Sequence, residues 1–129
     1  MLKKTMTYTD YNGIQRTEDF YFHLSEAEIL DMETGVDGGL TAMMNKLIAT
    51  NNVPEVMKIF KDLVLKAYGE KSADGRRFLK VDDRGVPLYI AFSQIPAYSD
   101  LYVELATNAD KAAEFMNGIV PAKTKKSEN

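Results

Sequence analysis

Residues 68–78 read YGEKSADGRRF, and the reading of this stretch decides the fold. A glycine, a Lys-Ser pair and a second glycine backed by two arginines are the vocabulary of a phosphate-binding loop. Such a loop follows a buried strand and would imply a nucleotide or nucleic-acid site, and with it an enzyme. The same letters can instead end a helix and make a solvated turn, which implies a binding protein with no nucleotide. A Walker loop needs G-x-x-x-x-G-K-[ST], so that the backbone between the glycines wraps the phosphates. Here Glu70 stands between Gly69 and Lys71, the position of the first glycine is apolar, and the preceding segment is helical in pattern. A carboxylate in that nest repels phosphate. The second reading is therefore adopted, with Gly69 as the left-handed residue closing a helix. Ala73-Asp74-Gly75 forms the turn, and Arg76-Arg77 open a short extended piece that buries Phe78.

The helix before it is the strongest periodic signal in the chain. In NVPEVMKIFKDLVLKAYG the residues Val53, Val56, Met57, Phe60, Leu63, Val64 and Ala67 form one apolar stripe, with Lys58, Lys61, Asp62 and Lys66 opposite. Asn52 with Glu55 supplies a start signal, and Pro54 falls in the first turn, where its missing N–H costs nothing. Upstream, TMTYTDYNGIQRTEDFYFHL reads as a β-hairpin. A three-residue loop, Tyr11-Asn12-Gly13 with Gly13 left-handed, pairs Tyr8 with Arg16 and Lys4 with Phe20. That register gathers Met6, Tyr8, Ile14, Phe20 and Phe22 on one face, as a hairpin with a single buried side requires.

Ser25 and Glu28 form a capping box for a helix ending near Gly35. After the break Gly35–Gly39, Leu40, Met43, Met44, Leu47 and Ile48 resume helical spacing. Methionines there and at Met57 pack cores by default and also suit adaptable binding surfaces. After the polar link LKVDDRGVP, Tyr98, Leu101, Tyr102 and Leu105 are spaced i, i+3, i+4, i+7. Asn108 caps a last helix with inner face Ala109, Ala112, Ala113 and Met116, stopped by Gly118 and Pro121. The expected fold is α+β, mainly α: an N-terminal hairpin followed by about five short-to-medium helices in one domain, residues 1–122, with a disordered basic tail, residues 123–129.

Composition narrows the chemistry. The chain has 129 residues and a formal net charge of −3, so no overall field draws it to nucleic acid. It has no cysteine, which excludes disulfides, thiolate metal sites and a cysteine nucleophile. His23 is the single histidine and has no partner signal, so it reads as a structural or surface residue. DMETGVDGG lacks the ligand spacing of a calcium loop, since position 5 from Asp31 is Gly35. Glu18-Asp19 and Asp82-Asp83 read as solvated charge. From Lys66 to Arg84, six cations (Lys66, Lys71, Arg76, Arg77, Lys80, Arg84) face four anions (Glu70, Asp74, Asp82, Asp83), a mixed loop rather than a basic stripe. No apolar run reaches the ~18 residues of a membrane span, and none at the N-terminus makes a signal peptide. A soluble, intracellular protein with no catalytic, metal or cofactor site is expected.

Four stretches say more together than singly: TYTDYNGIQRTEDFYFHL, IFKDLVLKAYGEKSADGRRF, AFSQIPAYSDLYVELA and NADKAAEFMNGIVP. Between Thr7 and Pro121 they make the chain resemble the tail assembly chaperones of long-tailed bacteriophages, especially those of Gram-positive hosts. YGEKSADGRRF is the most distinctive piece. The chain departs from the pattern at VDDRGVPLYI, and at Ile95-Pro96, where a polar capping residue and an acid are more usual. The resemblance implies a non-enzymatic factor in the host cell cytoplasm. It would bind the helical tape-measure protein, keep it soluble, help recruit tail-tube subunits, and act as a homo-oligomer or an array along its client. Such factors are absent from the finished tail, and many have a longer form made by ribosomal frameshifting near the gene's end. The partner-binding residues expected are Tyr68, Lys71, Asp74, Arg76, Arg77 and Phe78. Two other readings compete: a phage regulator touching nucleic acid through Lys66, Lys71, Arg76, Arg77 and Lys80, and a structural component of the virion tail.

Overall fold

The computed structural model describes residues 1–34 and 53–119. Strands β1 (Leu2–Thr9) and β2 (Gln15–Phe22) form the hairpin, followed by helix α1 (Glu26–Thr34). Helix α2 (Val53–Ala67) leads directly into β3 (Tyr68–Lys71), which turns into β4 (Phe78–Leu79). Helices α3 (Leu88–Phe92), α4 (Pro96–Thr107) and α5 (Ala109–Ile119) complete the described chain. The strands make one antiparallel sheet in the order β1-β2-β3-β4. The class is α+β, with the hairpin extended by two strands that helical periodicity does not announce. The expected glycine break at 35–39, the helix over 40–50, the Asn52 cap, Pro121 and the tail at 123–129 lie outside the described residues. Among the described residues no helix is long and apolar enough to cross a membrane.

The hairpin has the expected register, Tyr8 opposite Arg16 and Lys4 opposite Phe20, with Gly13 at φ 80°. Asp10 builds its turn. Its carboxylate accepts the amides of Asn12 and Ile14, each at 2.9 Å, and the Nε–H of Arg16 at 2.6 Å, while its own N–H donates to the Ile14 carbonyl. Even-numbered side chains face the helices: Tyr8, Phe20 and Phe22 are buried, with Leu2 and Met6 packed beside them. Ile14 belongs to that face by parity yet is 55% exposed, in the turn rather than in either strand. Odd-numbered side chains face solvent, where Thr5 donates to Asp19 at 2.6 Å and the Thr7 and Thr17 hydroxyls pair at 2.9 Å. The neighbouring acids Glu18 and Asp19 thus point to opposite faces. Both are hydrogen-bonded, Glu18 accepting the Tyr8 hydroxyl, where solvated charge was expected.

The capping box at α1 is formed as read: the Ser25 N–H donates to Glu28 Oε1 at 2.9 Å and the Glu28 N–H to Ser25 Oγ at 3.2 Å. Gly69, however, does not close α2. The helix ends at Ala67, and among the described residues the positive-φ glycines are Gly13, Gly75 and Gly85. The carbonyls that a left-handed cap would satisfy are taken from elsewhere. Ala67 O accepts the His23 N–H at 2.8 Å, and Lys66 O accepts the Lys80 ammonium at 2.7 Å. Gly69 is instead a buried strand residue pressed against β4. A Cβ there would lie 2.5 Å from both the Leu79 carbonyl oxygen and a Phe78 ring carbon.

Helix α4 starts without a side-chain cap at Ile95, and Pro96 fills its first turn. Leu101 and Leu105 are buried, with Tyr98 and Tyr102 flanking them. Asn108 caps α5 through the Lys111 N–H at 3.1 Å. The inner face of α5 is Ala112, Phe115, Met116 and Ile119, while Ala113 is exposed. Gly118 does not stop this helix. It lies within α5 because Leu2 packs there, 3.0 Å from where a Cβ would sit. The short helix α3 was not legible in the sequence, and it delivers Phe92 to the centre of the core.

These roles rank two glycines. Gly69→Ala drives a methyl into backbone and is expected to destabilise by several kcal/mol, or to prevent folding. Gly75→Ala strains only a positive φ and is expected to cost about 1 kcal/mol. Urea denaturation of the two variants measures the order; equal costs would contradict the strand assignment of Gly69.

Candidate partner-binding site

The stretch 68–78 is a β-hairpin, and its loop chemistry is closed on itself. Ser72 is 8% exposed. Its hydroxyl donates to Asp74 Oδ1 at 2.7 Å and accepts the Arg77 N–H at 3.0 Å, while its N–H donates to the Arg77 carbonyl. Asp74 also accepts the Arg76 N–H at 3.1 Å, and Gly75 turns the chain at φ 74°. The Ser72 hydroxyl and the Arg76 amide hold the Asp74 carboxyl below the usual carboxylate range. The serine and amides that a phosphate would use are committed within the turn. The turn chemistry of Ala73-Asp74-Gly75 is as read.

A third turn follows the same plan. Asp82 accepts the amides of Arg84 and Val86 at 2.8 and 3.0 Å, its N–H donates to the Val86 carbonyl, and Gly85 takes φ 82°. DYNGI and DDRGV are thus one turn used twice, and Asp82 is a structural acid where solvated charge was expected.

The six residues expected to meet a partner divide by burial. Tyr68 is half-buried and stacks on Phe92, ring centroids 4.1 Å apart at an interplanar angle of 5°. Burial, reinforced by Glu70, pushes its phenol up. Phe78 is partly buried, its ring edge-on to His23 at 5.7 Å. Asp74 is spent on the turn. Lys71, Arg76 and Arg77 are exposed, and among the described residues neither guanidinium has an ion pair. The hairpin therefore presents a cationic tip on a packed base.

Lys80 is a residue whose role the sequence did not show. Its ammonium bonds Glu28 Oε2 at 2.8 Å as well as Lys66 O, and lies 5.6 Å from the Phe78 ring centroid. It ties the end of β4 to the first turn of α1 and the last turn of α2. This removes Lys80 from the five cations suited to nucleic acid. Glu28 is 52 positions away, so no local spacing could reveal the pair.

His23 sits beside this tie, partly buried. Its Nδ1 is buried without a hydrogen-bond partner among the described residues. Burial holds the imidazole below its ordinary value, helped by the N-terminal ammonium and Lys80 and opposed by Glu28. Beyond Gly69 the sheet opens. β3 leaves β2 to pair with β4, and an open notch of about 390 Å³ lies between Glu18, Asp19 and Tyr21 on one side and Glu70 and Lys71 on the other.

Among the described residues these features define a small α+β fold whose turns satisfy their own polar groups and whose exposed chemistry is a cationic tip beside an open sheet edge. A family model described as phage tail assembly chaperone matches residues 1–129, the whole chain, and the chain belongs to that family. Searches of curated proteins and of solved structures return no significant match.

The lowered His23 value fixes the sign of a pH effect. Above about 6.5 the imidazole is neutral in both states; below that value the unfolded chain takes up a proton that the folded chain resists. Stability is therefore expected to fall as pH drops from 7 toward 5, before the carboxylates titrate. His23→Gln is expected to flatten that interval in urea titrations made at each pH.

Proposed function

We propose that this chain is a non-enzymatic chaperone of tail assembly in the host cytoplasm, which binds the tape-measure protein, keeps it soluble and helps bring tail-tube subunits to it. The observation that carries this reading is the family match over the whole chain. A tape-measure protein bears long apolar helical stripes before a tube surrounds it, and such stripes associate when left uncovered. A small carrier covers them by laying helices against its own surface.

The surface of this chain supports such contact. Val81, Val86, Tyr89 and Ile90 are exposed large apolar side chains on the turn and helix that follow the cationic hairpin. Arg76 and Arg77 can grip carboxylates that flank an apolar stripe, since guanidinium forms planar bidentate pairs. Tyr68 and Phe78 support the hairpin from beneath and act as positioning residues. Many copies along one client need only modest individual affinity, because neighbouring copies raise one another's effective concentration.

Co-expression with the tape-measure protein is expected to keep that client in the soluble fraction. Arg76→Glu with Arg77→Glu is expected to reduce client recovery severalfold while changing stability by no more than about 0.5 kcal/mol, as for exposed positions. A client that stays insoluble with the wild-type chain would refute the proposal. A large loss of stability in the double variant would make the tip structural instead.

A further inference from the structure

We infer that β2 is an interface strand through which two copies of this chain pair edge to edge, antiparallel and centred on Thr17. The inference begins with backbone direction. The Asp10 N–H donates to the Ile14 carbonyl, so with the observed register the even residues of β2 exchange hydrogen bonds with β1. The odd residues Gln15, Thr17, Asp19 and Tyr21 then direct their N–H and C=O groups to the opposite edge. The other end of the strand agrees: the His23 N–H reaches Ala67 O, and Tyr21 pairs with Gly69. The β3 pairing stops at Tyr21, so the ladder ends before Asp19 and, among the described residues, leaves Gln15, Thr17 and Asp19 at an open edge. An unpaired strand edge is a template for another chain.

Charge selects the occupant and the register. The edge reads Gln15-Arg16-Thr17-Glu18-Asp19, and in a two-fold pairing odd residues must meet odd residues. Centring on Arg16 sets arginine against arginine, and centring on Glu18 sets glutamate against glutamate. Centring on Thr17 sets Arg16 of each copy against Glu18 of the other, and Gln15 against Asp19. The Arg16–Glu18 contacts then fall in the non-hydrogen-bonded positions, where cross-strand side chains approach most closely. Three facing residue pairs exchange backbone hydrogen bonds. Arg16 and Glu18 of one copy lie 3.8 Å apart and also hold Asp10 and Tyr8, yet their side chains are 47% and 42% exposed, which leaves each able to reach a second copy as well. The outer edge of β1 offers no equivalent, because its charged residues are Lys3 and Lys4, with no acid to oppose them. The pairing is small and therefore weak and concentration-dependent.

Sedimentation equilibrium of the full chain, purified without any client, tests the inference independently of the client reading. The wild type is expected to be a monomer–dimer mixture. Thr17→Pro removes an N–H that β1 does not use and is expected to weaken the dimer by about tenfold or more. Thr7→Pro is the matched control: it faces Thr17 within the hairpin but alters the other edge, so it is expected to leave the dimer intact. Arg16→Glu and Glu18→Arg should each be monomeric alone. Mixed together they should form a heterodimer, since each then supplies the charge the other lacks. That restoration cannot come from a change in folding stability. A chain monomeric at every attainable concentration, equal effects of the two proline variants, or no heterodimer on mixing would each overturn the inference. So would a monomeric wild type whose client binding is lost with Thr17→Pro, which would give the edge to a client strand.

Discussion

The stack of Tyr68 on Phe92 is the contact on which the rest of the structure depends. Phe92 is buried on a helix of five residues, and its ring meets Phe20, Phe22 and Tyr98 at 5.5–5.7 Å as well as Tyr68 at 4.1 Å. Phe22 in turn meets Phe115 at 5.1 Å. One ring thus joins β2, β3, α3 and α4, and through Phe22 it reaches α5. Aromatic pairs in offset or edge geometry contribute about 0.5–1.5 kcal/mol each beyond the area they bury, so a ring shared among four partners concentrates stabilisation at one point. The stack also fixes where β3 begins. Tyr68 must face Phe92, so the chain leaves α2 without a cap residue and enters the sheet at once.

That direct entry explains the polar ties around it. A helix that ends in a strand leaves carbonyls bare, and here His23 N–H and the Lys80 ammonium reach them. The Lys80–Glu28 pair is only partly exposed, and Glu28 also serves the α1 cap, so one carboxylate and one ammonium hold three elements. Glu28 is held below its usual value by Lys80 and by the Ser25 amide, although burial pulls the other way. An isolated surface pair contributes little. This one acts together with the His23 N–H in completing the end of α2.

The sequence showed what is local. The hairpin register followed from Gly13 and from the need for one apolar face, the capping box from Ser25 and Glu28, and α2 from its stripe. Three things were hidden. Gly69 looks like a helix stop because glycine after a helix usually is one; its actual reason, the Phe78 ring and the Leu79 carbonyl, belongs to a strand pairing invisible before the fold is known. Phe115 and Ile119 continue the spacing of Ala112 at i+3 and i+7 and could have been read there, but alanines drew the face wrongly. Helix α3 is too short for periodicity to reveal. Of the candidate site, the exposure of Lys71, Arg76 and Arg77 was legible from charge and the burial of Phe78 from the extended piece that Arg76-Arg77 open, whereas the inward turn of Tyr68 was not.

The turns and the sheet edge belong to one design problem. Three hairpin tips, at Asp10, Ser72 and Asp82, satisfy their amides with their own side chains, so each can stand in water or against a partner without losing a hydrogen bond. The edge of β2 is built differently, because its backbone groups point outward and its neighbour strand has turned away to pair with β4. That divergence has a local cause. The Ser72–Arg77 turn commits β3 to β4, while the Tyr68 stack anchors only its first residues to β2. A strand held at one end and drawn aside at the other must open a gap in the sheet, and in this chain the gap falls beside alternating opposite charges. Among the described residues the chain thus closes its turns on themselves and leaves backbone unpaired where a second chain can supply the ladder.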